Sequence, residues 1–362
     1  MTKKGDSEGL CAKDQSLRAS IIIVNYNGGI KIVQCLRSVF GLIEAGTEVI
    51  VVDNASSDGS AETIEASFPD LRLIRAGENL GFGAGNNLGA AQANGRYIVF
   101  LNPDTVVCGH WLSKMLGVLD EDQEAGLVTP KILMAGDPDL INACGNRIHL
   151  TGLTLCRGLK APSQSFSSAE EVDAVSGAAF AIRHSLFDEL DGFDEDMFLY
   201  VEDTDLSLRA RLAGWHCIYT PDSQVQHDYR LKITPLKIFY QERNRHLMLL
   251  KTFRWATLAV LLPAEFAAEC ISWGFVLTAD RRNIGNKVKA YQWIFSNRSR
   301  ILEKRREVQA LRKVPDRQLL RGTAIKLDFG QAAPAGIASL AHIVFDPFFF
   351  LMKALVMVIV WW

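Results

Sequence analysis

The sequence predicts an α/β fold built on a mostly parallel sheet with helices on both faces. In the N-terminal part of the chain, four short apolar stretches alternate with segments that carry apolar residues at spacings of three and four. The apolar stretches are continuous, which is typical of parallel strands that are covered on both faces. Several end in polar or acidic residues, and open α/β sheets bind ligands outside the carboxyl ends of their strands.

Each predicted element has its own signal. β-branched residues dominate the strands, and apolar residues recur every three or four positions in the helices. A strand–helix–strand series of this kind favours right-handed crossovers in one sheet. In chain order we predict strand 20–24, helix 30–43, strand 48–53, a helix containing Ile64 and Phe68, strand 71–74, a helix through Ala90 to Ala93, and strand 96–101.

Polar side chains come directly after three of these strands. They are Asn25, Tyr26 and Asn27 after the first strand, Asp53 at the end of the second, and Asn102 and Asp104 after the fourth. A carboxylate such as Asp104 can hold a divalent cation against a diphosphate, and Pro103 stiffens the turn that carries it. Alternatively, these residues only form a strand-ending turn.

A glycine-rich stretch, residues 78–87, follows the third strand and includes Asn79, Gly81 and Asn86. It differs from a dinucleotide-binding fingerprint, because Asn86 stands where Gly-x-Gly-x-x-Gly requires glycine and because that fingerprint follows a first strand. We instead predict close approach of the backbone to a phosphate or sugar, with the amide side chains giving direction. The alternative is a helix that packs tightly through small residues.

The middle of the chain carries weaker signals. Residues 127–133 and 140–149 are predicted to be extended, and 157–170 to be an exposed loop that could fold over a cleft. Residues 173–182 are small and apolar, as expected where the backbone, including Gly177, runs close beneath a ligand.

Three carboxylates, Glu202, Asp203 and Asp205, stand at the start of a predicted helix. Acids are favoured there by the helix dipole, so ordinary capping by Asp203 is one interpretation. Crowding of like charges is unfavourable unless a cation or a proton is shared, and it raises the pKa of one member toward the range of a general base. The second interpretation therefore makes this cluster catalytic.

His227 ends the second of two strand-like pieces, 214–219 and 223–227. An imidazole at a strand end either ligates a metal or is a hydrogen-bonded structural residue. The sequence leaves both interpretations open.

The amphipathic helix 234–251 carries Arg243 and Asn244. Its polar face is either solvated or holds an anionic diphosphate, because guanidinium groups match phosphate geometry. We expect the second.

Apolar and basic segments alternate in the C-terminal part of the chain. Residues 257–278 and 332–362 are apolar, with acids or Pro347 interrupting them, and residues 281–321 contain 13 Lys or Arg and 3 Asp or Glu. A charge at mid-bilayer is costly, so we expect these segments to lie on an anionic membrane surface and not to span it. A second soluble core with a solvated basic surface is the alternative.

Composition restricts the class of protein. The formal charge is -2, which gives no global field for nucleic acid. The seven cysteines form no Cys-x-x-Cys pair and indicate reduced thiols in a cytosolic compartment. Residues 1–19 are polar and lack a signal-peptide core, so they are predicted to be a flexible tail. The expected location is the cytoplasmic face of the cell membrane, with peripheral or interfacial attachment.

Taken together, seven motifs resemble one known family, the inverting glycosyltransferases of family 2 with the GT-A fold, and within it the rhamnosyltransferase-like group. The resemblance covers residues 20 to 250 and depends on the order and spacing of the motifs. They are Val24 to Asn27, Val52 to Ser60, Asn79 to Asn87, Leu101 to Asp104, Val175 to Ala178, Gly192 to Glu195, and Tyr200 to Leu206.

The resemblance implies roles for individual residues. Asp53 would contact the nucleotide base, Asp104 and His227 would hold Mg²⁺ or Mn²⁺ on the diphosphate, and Asp203 would be the general base. The family's usual Asp-x-Asp is Asn102-Pro103-Asp104 here, so one of its two acids is replaced. The residues expected to bind substrate are Asn25, Tyr26, Asn27, Asp53, Asn79, Gly81, Asn86, Asn102, Gly177, Glu202, Arg243 and Asn244.

The resemblance also implies the substrates and the domain plan. The donor would be a dTDP, UDP or GDP sugar, and the acceptor a hydroxyl of a glycan or of a polyprenyl-linked lipid. Residues 20–252 would form the glycosyltransferase domain, and residues 253–362 a helical, basic and apolar region that associates with the membrane. A non-catalytic, membrane-attached nucleotide-sugar-binding protein on the same fold is the alternative.

Overall fold

The computed structural model describes residues 17–228, 235–279, 281–327 and 335–362. Most of the predicted tail, residues 1–16, and residue 234 of the predicted amphipathic helix lie outside these ranges. Of the predicted tail, Ala19 already belongs to the first strand.

The N-terminal half alternates strands and helices as predicted. Continuous apolar sequence makes the strands, and in the first helix Ile32, Val33, Leu36 and Val39 are buried against the sheet. The elements are β1 (Ala19–Asn25), α1 (Gly29–Gly41), β2 (Thr47–Asp53), α2 (Ser60–Ser67), β3 (Arg72–Arg75), α3 (Gly81–Ala90), β4 (Tyr97–Leu101), β5 (Thr105–Cys108) and α4 (Trp111–Glu121).

The second half of the sheet domain adds strands that lie on one side of β4. They are followed by a long helix that leads into the C-terminal region. The elements are β6 (Ala125–Met134), β7 (Asp137–Ala143), β8 (Asn146–Ile148), β9 (Thr154–Cys156), β10 (Glu170–Glu171), β11 (Ala179–Arg183), α5 (His184–Glu189), α6 (Glu202–Leu212), β12 (His216–His227) and α7 (Pro235–Thr252).

Ten of these strands build one sheet in the order β10-β12-β6-β11-β4-β1-β2-β3, in which β5 also pairs with β12 and β7 with β6. The strands β8 and β9 form a separate two-stranded sheet. The pairs β1–β2, β1–β4, β2–β3 and β6–β12 are parallel, and β11 runs antiparallel between β4 and β6. The predicted α/β class with a mostly parallel sheet flanked by helices is confirmed. Because β1, β2 and β4 are parallel neighbours, their carboxyl ends meet at one edge.

The prediction of two separate strand pieces before His227 is wrong. They form the single strand β12, whose pairing with β6 shifts register between Thr220 and Gln224. Pro221 and Asp222 interrupt the apolar pattern at this irregularity, which is why the sequence indicates a break. Beyond it, β12 pairs with β5, and His227 lies opposite Thr105.

The C-terminal helices share a core with the sheet domain. Ile148 and Leu208 belong to the same buried cluster as Leu261, Phe349 and Val356. The helices are α8 (Trp255–Ala279), α9 (Ile284–Ser296), α10 (Arg298–Ala310), α11 (Asp316–Arg321) and α12 (Ala335–Ile359). By length and composition, Trp255–Leu277 and His342–Ile359 could each cross a membrane, and only 22% and 17% of these segments is buried in the protein.

Candidate active site

The carboxyl ends of β1 and β2 are joined by side-chain hydrogen bonds. Asn25 and Asp53 are register partners, and the Asn25 amide donates to Asp53 Oδ1 at 3.0 Å and to Ser60 Oγ at 2.8 Å. Both residues are buried. The pair therefore fixes the position of the Asp53 carboxylate at the sheet edge.

The residues after β1 form the rim of this edge. The Tyr26 side chain is 51% exposed, and Asn27 adopts a left-handed conformation with φ of 53°. Asn27 Oδ1 accepts a hydrogen bond of 2.8 Å from the Ser57 amide. An exposed aromatic ring beside a fixed carboxylate can stack a planar ligand.

Asp104 and His227 lie side by side. His227 Nε2 is 3.3 Å from Asp104 Oδ1, and His227 Nδ1 is 2.9 Å from Asn142 Oδ1. An amide oxygen only accepts, so Nδ1–H donates to Asn142 and Nε2 faces the Asp104 carboxylate. Either a proton on Nε2 or a shared cation satisfies this contact. The donor set therefore fits a divalent metal.

The Asp203 carboxylate lies beneath the backbone of the segment that precedes β11. Its Oδ2 accepts from the Gly177 amide at 2.7 Å and from the Asn146 side chain at 3.3 Å, and its Oδ1 accepts from the Thr204 amide at 2.7 Å. Burial raises the pKa of Asp203, and the hydrogen bonds from Gly177 and Thr204 oppose that rise. A Cβ at position 177 would lie 3.1 Å from Asp203 Oδ2, so glycine permits this close contact.

Asp203 and the Asp104 turn are neighbours through the backbone. The Asn102 amide donates to the Ala178 carbonyl at 2.9 Å, and Gly177 is the next residue. The antiparallel pairing of Leu101 with Ala179 sets this alignment. The turn that carries Asp104 and the segment that binds Asp203 are therefore adjacent at the carboxyl end of β4.

The other two acids of the α6 cluster differ from Asp203. Asp205 forms ion pairs with Arg209 at 2.8 Å and Lys251 at 2.9 Å. Glu202 is buried, and its Oε2 has no hydrogen-bond donor among the described residues. Burial, together with the charge of Asp203, raises the pKa of Glu202 to about 8. Asp205 is thus a structural ion-pair partner, and the uncompensated acids are Glu202 and Asp203.

A strained segment precedes α6. Phe198, Tyr200 and Val201 have φ of 58°, 69° and 72°, which is unfavourable for aromatic and β-branched residues. The Asn244 amide donates to the carbonyls of Met197, Leu199 and Tyr200 at distances of 2.7 to 3.0 Å. These hydrogen bonds hold the strained backbone in place and so fix the direction in which α6 begins.

Arg243 and Asn244, which we predicted to bind substrate, use most of their polar atoms within the protein. Both are buried, and the Arg243 guanidinium donates to the carbonyls of Asp196 and Met197 and to Asn244 Oδ1. These hydrogen bonds hold the strained segment. The two residues therefore position α6 and its acids.

The glycine-rich stretch has the packing role that we considered as its alternative. Gly81 has φ of 82°, and a Cβ there would lie 2.3 Å from the Phe198 carbonyl oxygen. The Asn86 amide donates to the Phe82 carbonyl of its own helix at 2.9 Å and is buried. The backbone at Gly81 therefore approaches another part of the protein. Asn79 Oδ1 accepts a hydrogen bond from the Asn54 side chain, which supports the turn after β2.

Two residues of the site were missed by the sequence analysis. Asn142 orients His227, and Asn146 donates to Asp203. Both lie in the stretch 140–149, which the sequence indicated only as weakly extended. Their partners are 85 and 57 residues away, so no local spacing could have found them.

With the geometry described, comparisons with known proteins decide the family. A model described as glycosyl transferase family 2 matches residues 20–190, which include β1, β2, β4 and Gly177. Over this stretch, which is just under half of its length, the chain matches glycosyltransferase family 2.

Rhamnosyltransferases are among the proteins that this chain is similar to. The N-acetylglucosaminyl-diphospho-decaprenol L-rhamnosyltransferase of Mycobacterium tuberculosis is 27% identical over 232 residues, which are 57% of this chain and 75% of that protein. Rhamnosyltransferase WbbL of Escherichia coli is 27% identical over 222 residues, 58% of this chain and 78% of that protein. The predicted rhamnosyltransferase-like resemblance is confirmed.

Solved structures support the fold. S. aureus TarS in complex with UDP-GlcNAc has a TM-score of 0.55 at 17% identity, covering 93% of this chain and 90% of that one. GalNAc-T7 with UDP, GalNAc and Mn²⁺ has a TM-score of 0.55 at 18% identity, covering 66% of this chain and 48% of that one. The likeness at these identities confirms the GT-A fold.

Proposed function

We propose that this family 2 glycosyltransferase moves a sugar, with inversion, from a nucleoside-diphosphate sugar to a hydroxyl of a glycan or lipid-linked acceptor, with Asp203 as general base. The observation that carries the proposal is the buried Asp203 carboxylate, held by Gly177 and Asn146 beside the turn that bears Asp104. Burial raises the pKa of Asp203, which makes its carboxylate a better proton acceptor.

The proposed transfer needs only the acceptor hydroxyl, the donor sugar and Asp203 as proton acceptor. The acceptor hydroxyl gives its proton to Asp203, and its oxygen bonds to the anomeric carbon while the bond from that carbon to the diphosphate oxygen breaks. The nucleoside diphosphate leaves with the electron pair. Attack opposite the leaving group inverts the anomeric configuration.

Asp104 and His227 would hold a divalent metal, Mn²⁺ or Mg²⁺, with Asn142 orienting the imidazole. Such an ion acts as a Lewis acid and neutralises charge on the departing diphosphate. The Mn²⁺ in the GalNAc-T7 complex is in keeping with this assignment. Asp53 would bind the nucleotide base, and the exposed ring of Tyr26, which follows its partner Asn25, would stack on that base.

The donor is a dTDP, UDP or GDP sugar, and the acceptor class includes polyprenyl-linked glycans. The mycobacterial relative's name specifies a diphospho-decaprenol acceptor, which supports a lipid-linked substrate here. Outward-facing apolar side chains of α8 and α12, such as Phe266 and Val358, suit interfacial attachment at the cytoplasmic face of an anionic membrane. The basic segment 281–321 adds attraction to anionic headgroups.

A thermal-shift panel tests the donor half of the proposal. UDP, dTDP and GDP sugars are each added to the full chain with and without Mn²⁺, and one nucleotide should raise Tm more with the metal than without it. The preferred sugar is then incubated with a prenyl-diphosphate-linked N-acetylglucosamine acceptor. Absence of any nucleotide-dependent stabilisation would contradict the proposal.

A further inference from the structure

A second concave site lies on the other side of the β8–β9 hairpin from Asp203. It is a cavity of about 720 Å³ between the hairpin, residues 324–326 and the described first part of α12. Its walls combine cationic and apolar side chains. The lining side chains include Arg147, Cys156, Lys326, Ile343, Pro347 and Phe350.

Two cationic side chains on one side of this cavity have no partner within the described part of the chain. Arg147 and Lys326 are both exposed, and neither side chain forms a hydrogen bond or an ion pair within the described part of the chain. Arg157, in contrast, is paired with Glu170 and lies 4.4 Å from the Phe166 ring centroid. The one acid in the lining, Asp346, is 3.2 Å from His342 Nδ1. Unpaired cations on a concave surface favour an anionic ligand.

The opposite wall is apolar and continues away from the cavity. Ile343 and Phe350 are 72% and 64% exposed, although both are large apolar side chains. Together with Pro347 and Val358 they recur at helical spacing on the outward face of α12. A small anion would leave this stripe in water, whereas a hydrocarbon chain attached to the anion would cover it.

The hairpin joins the cavity to the candidate base. Cys156 lines the cavity and is the register partner of Asn146, whose amide is 3.3 Å from Asp203 Oδ2. Arg147 follows Asn146 in β8, so the two side chains point to opposite faces of the hairpin. The cavity and Asp203 therefore lie on opposite faces of this short hairpin.

From this arrangement we infer that the cavity binds the phosphate headgroup and first prenyl units of a lipid-linked acceptor. Arg147 and Lys326 hold the phosphate, α12 carries the hydrocarbon chain, and the sugar on the phosphate passes the Cys156 end of the hairpin to reach Asp203. The inference rests on the proposed function and specifies where its acceptor enters.

The test measures binding of farnesyl diphosphate to the full chain in detergent micelles, by calorimetry in EDTA, so that the Asp104 site cannot hold the diphosphate through a metal. The variant is Arg147→Gln with Lys326→Gln. The matched control is Arg37→Gln with Lys114→Gln, which removes two exposed cations from α1 and α4. We expect about a tenfold rise in Kd for the first pair, the combined effect of two exposed charge contacts, and no change for the second.

Further ligands separate the sources of affinity. Inorganic diphosphate and farnesol should each bind more weakly than farnesyl diphosphate, and Ile343→Ser with Phe350→Ser should weaken the lipid but not inorganic diphosphate. Equal Kd values for the cation variant and its control would overturn the inference. Mn²⁺-dependent donor binding is measured in the same variants. If it persists there while lipid binding is unchanged, the acceptor site is wrong and the proposed function stands.

Discussion

Two regions of the molecule concentrate charge, and they do so in different ways. The first is the candidate active site around Asp104, Asp203 and His227. The second is a buried charge cluster between α7, α8 and α9, formed by Glu242, Arg245, His246, Glu269 and Lys287. The ligand atoms of Glu242, His246 and Glu269 lie within 4.8 Å of one another, so this second cluster could also hold a metal by distance alone.

The difference lies in the cations. Lys287 Nζ is fully buried and lies 2.7 Å from Glu242 and 3.0 Å from Glu269, and Arg245 pairs with Glu242 at 2.7 Å. The acids of the charge cluster are therefore neutralised by the protein. Asp203 accepts hydrogen bonds from amide groups, whereas Glu202 Oε2 has no donor among the described residues. No Lys or Arg pairs with either carboxylate within the described ranges. Acids left without a protein cation distinguish a reactive site from a structural ion-pair network.

Replacing the proposed base should have the largest effect. Asp203→Asn removes the proton acceptor but keeps the shape, so we expect sugar transfer to fall on the order of 10³-fold while donor affinity stays near wild type. The rate is measured with saturating donor and acceptor. Asp188→Asn, which changes a carboxylate that is 72% exposed, is the control and should transfer normally. Full turnover by the Asp203 variant would remove the assigned base.

Breaking the charge cluster should affect stability and leave the chemistry intact. Lys287→Met removes a fully buried cation that pairs with both Glu242 and Glu269, and we expect the free energy of unfolding to fall by about 3–5 kcal/mol. Urea denaturation measures the change. Lys289→Met on the same helix alters an exposed lysine and should shift stability by no more than about 0.5 kcal/mol. Similar losses in both variants would count against the distinction between the two regions.

A pair of histidine variants tests which cluster binds metal. His227→Gln should weaken Mn²⁺-dependent nucleotide binding by at least about tenfold, because the imidazole is the proposed ligand. His246→Gln, in the charge cluster, should leave that affinity unchanged. Titration of nucleotide at fixed Mn²⁺ gives both values. Loss of metal dependence in the His246 variant alone would reverse the assignment.

The last expected effect concerns pH. The pKa of Glu202 is raised from 4.5 to about 8, chiefly by burial, so the folded protein binds this proton more tightly than the unfolded chain. The stability that this proton contributes is fully present below pH 4.5 and is lost as pH rises through 8. Glu202→Gln should therefore reduce the fall in unfolding free energy across that range, measured by urea denaturation at each pH. Glu303→Gln, at an exposed carboxylate, should keep the wild-type slope.

Local sequence predicted the parts of the fold that depend on local pattern. The strands that end at Asp53 and Leu101 were found because buried parallel strands are continuously apolar, and the acids after them were found because such strands end at one edge. The positions of Asp104 and Asp203 relative to each other followed only from the family resemblance. Periodicity carries no information on contacts between residues a hundred positions apart.

The errors have a common physical origin. Arg243 and Asn244 carry phosphate-binding groups, yet the strained turn before α6 uses their donors. Gly81 permits close approach, but the neighbour is the Phe198 carbonyl. Residue type states what a group can bind, whereas the tertiary structure decides which partner reaches it first.

The register shift in β12 determines which side chain meets Asp104. Successive residues of a strand point to opposite faces, so deleting one residue between Thr220 and Gln224 would either exchange the imidazole for a neighbouring side chain or force the irregularity to close. Loop lengths elsewhere on the surface can vary without such a consequence. In this short segment the number of residues, whatever their identities, decides which side chain faces Asp104.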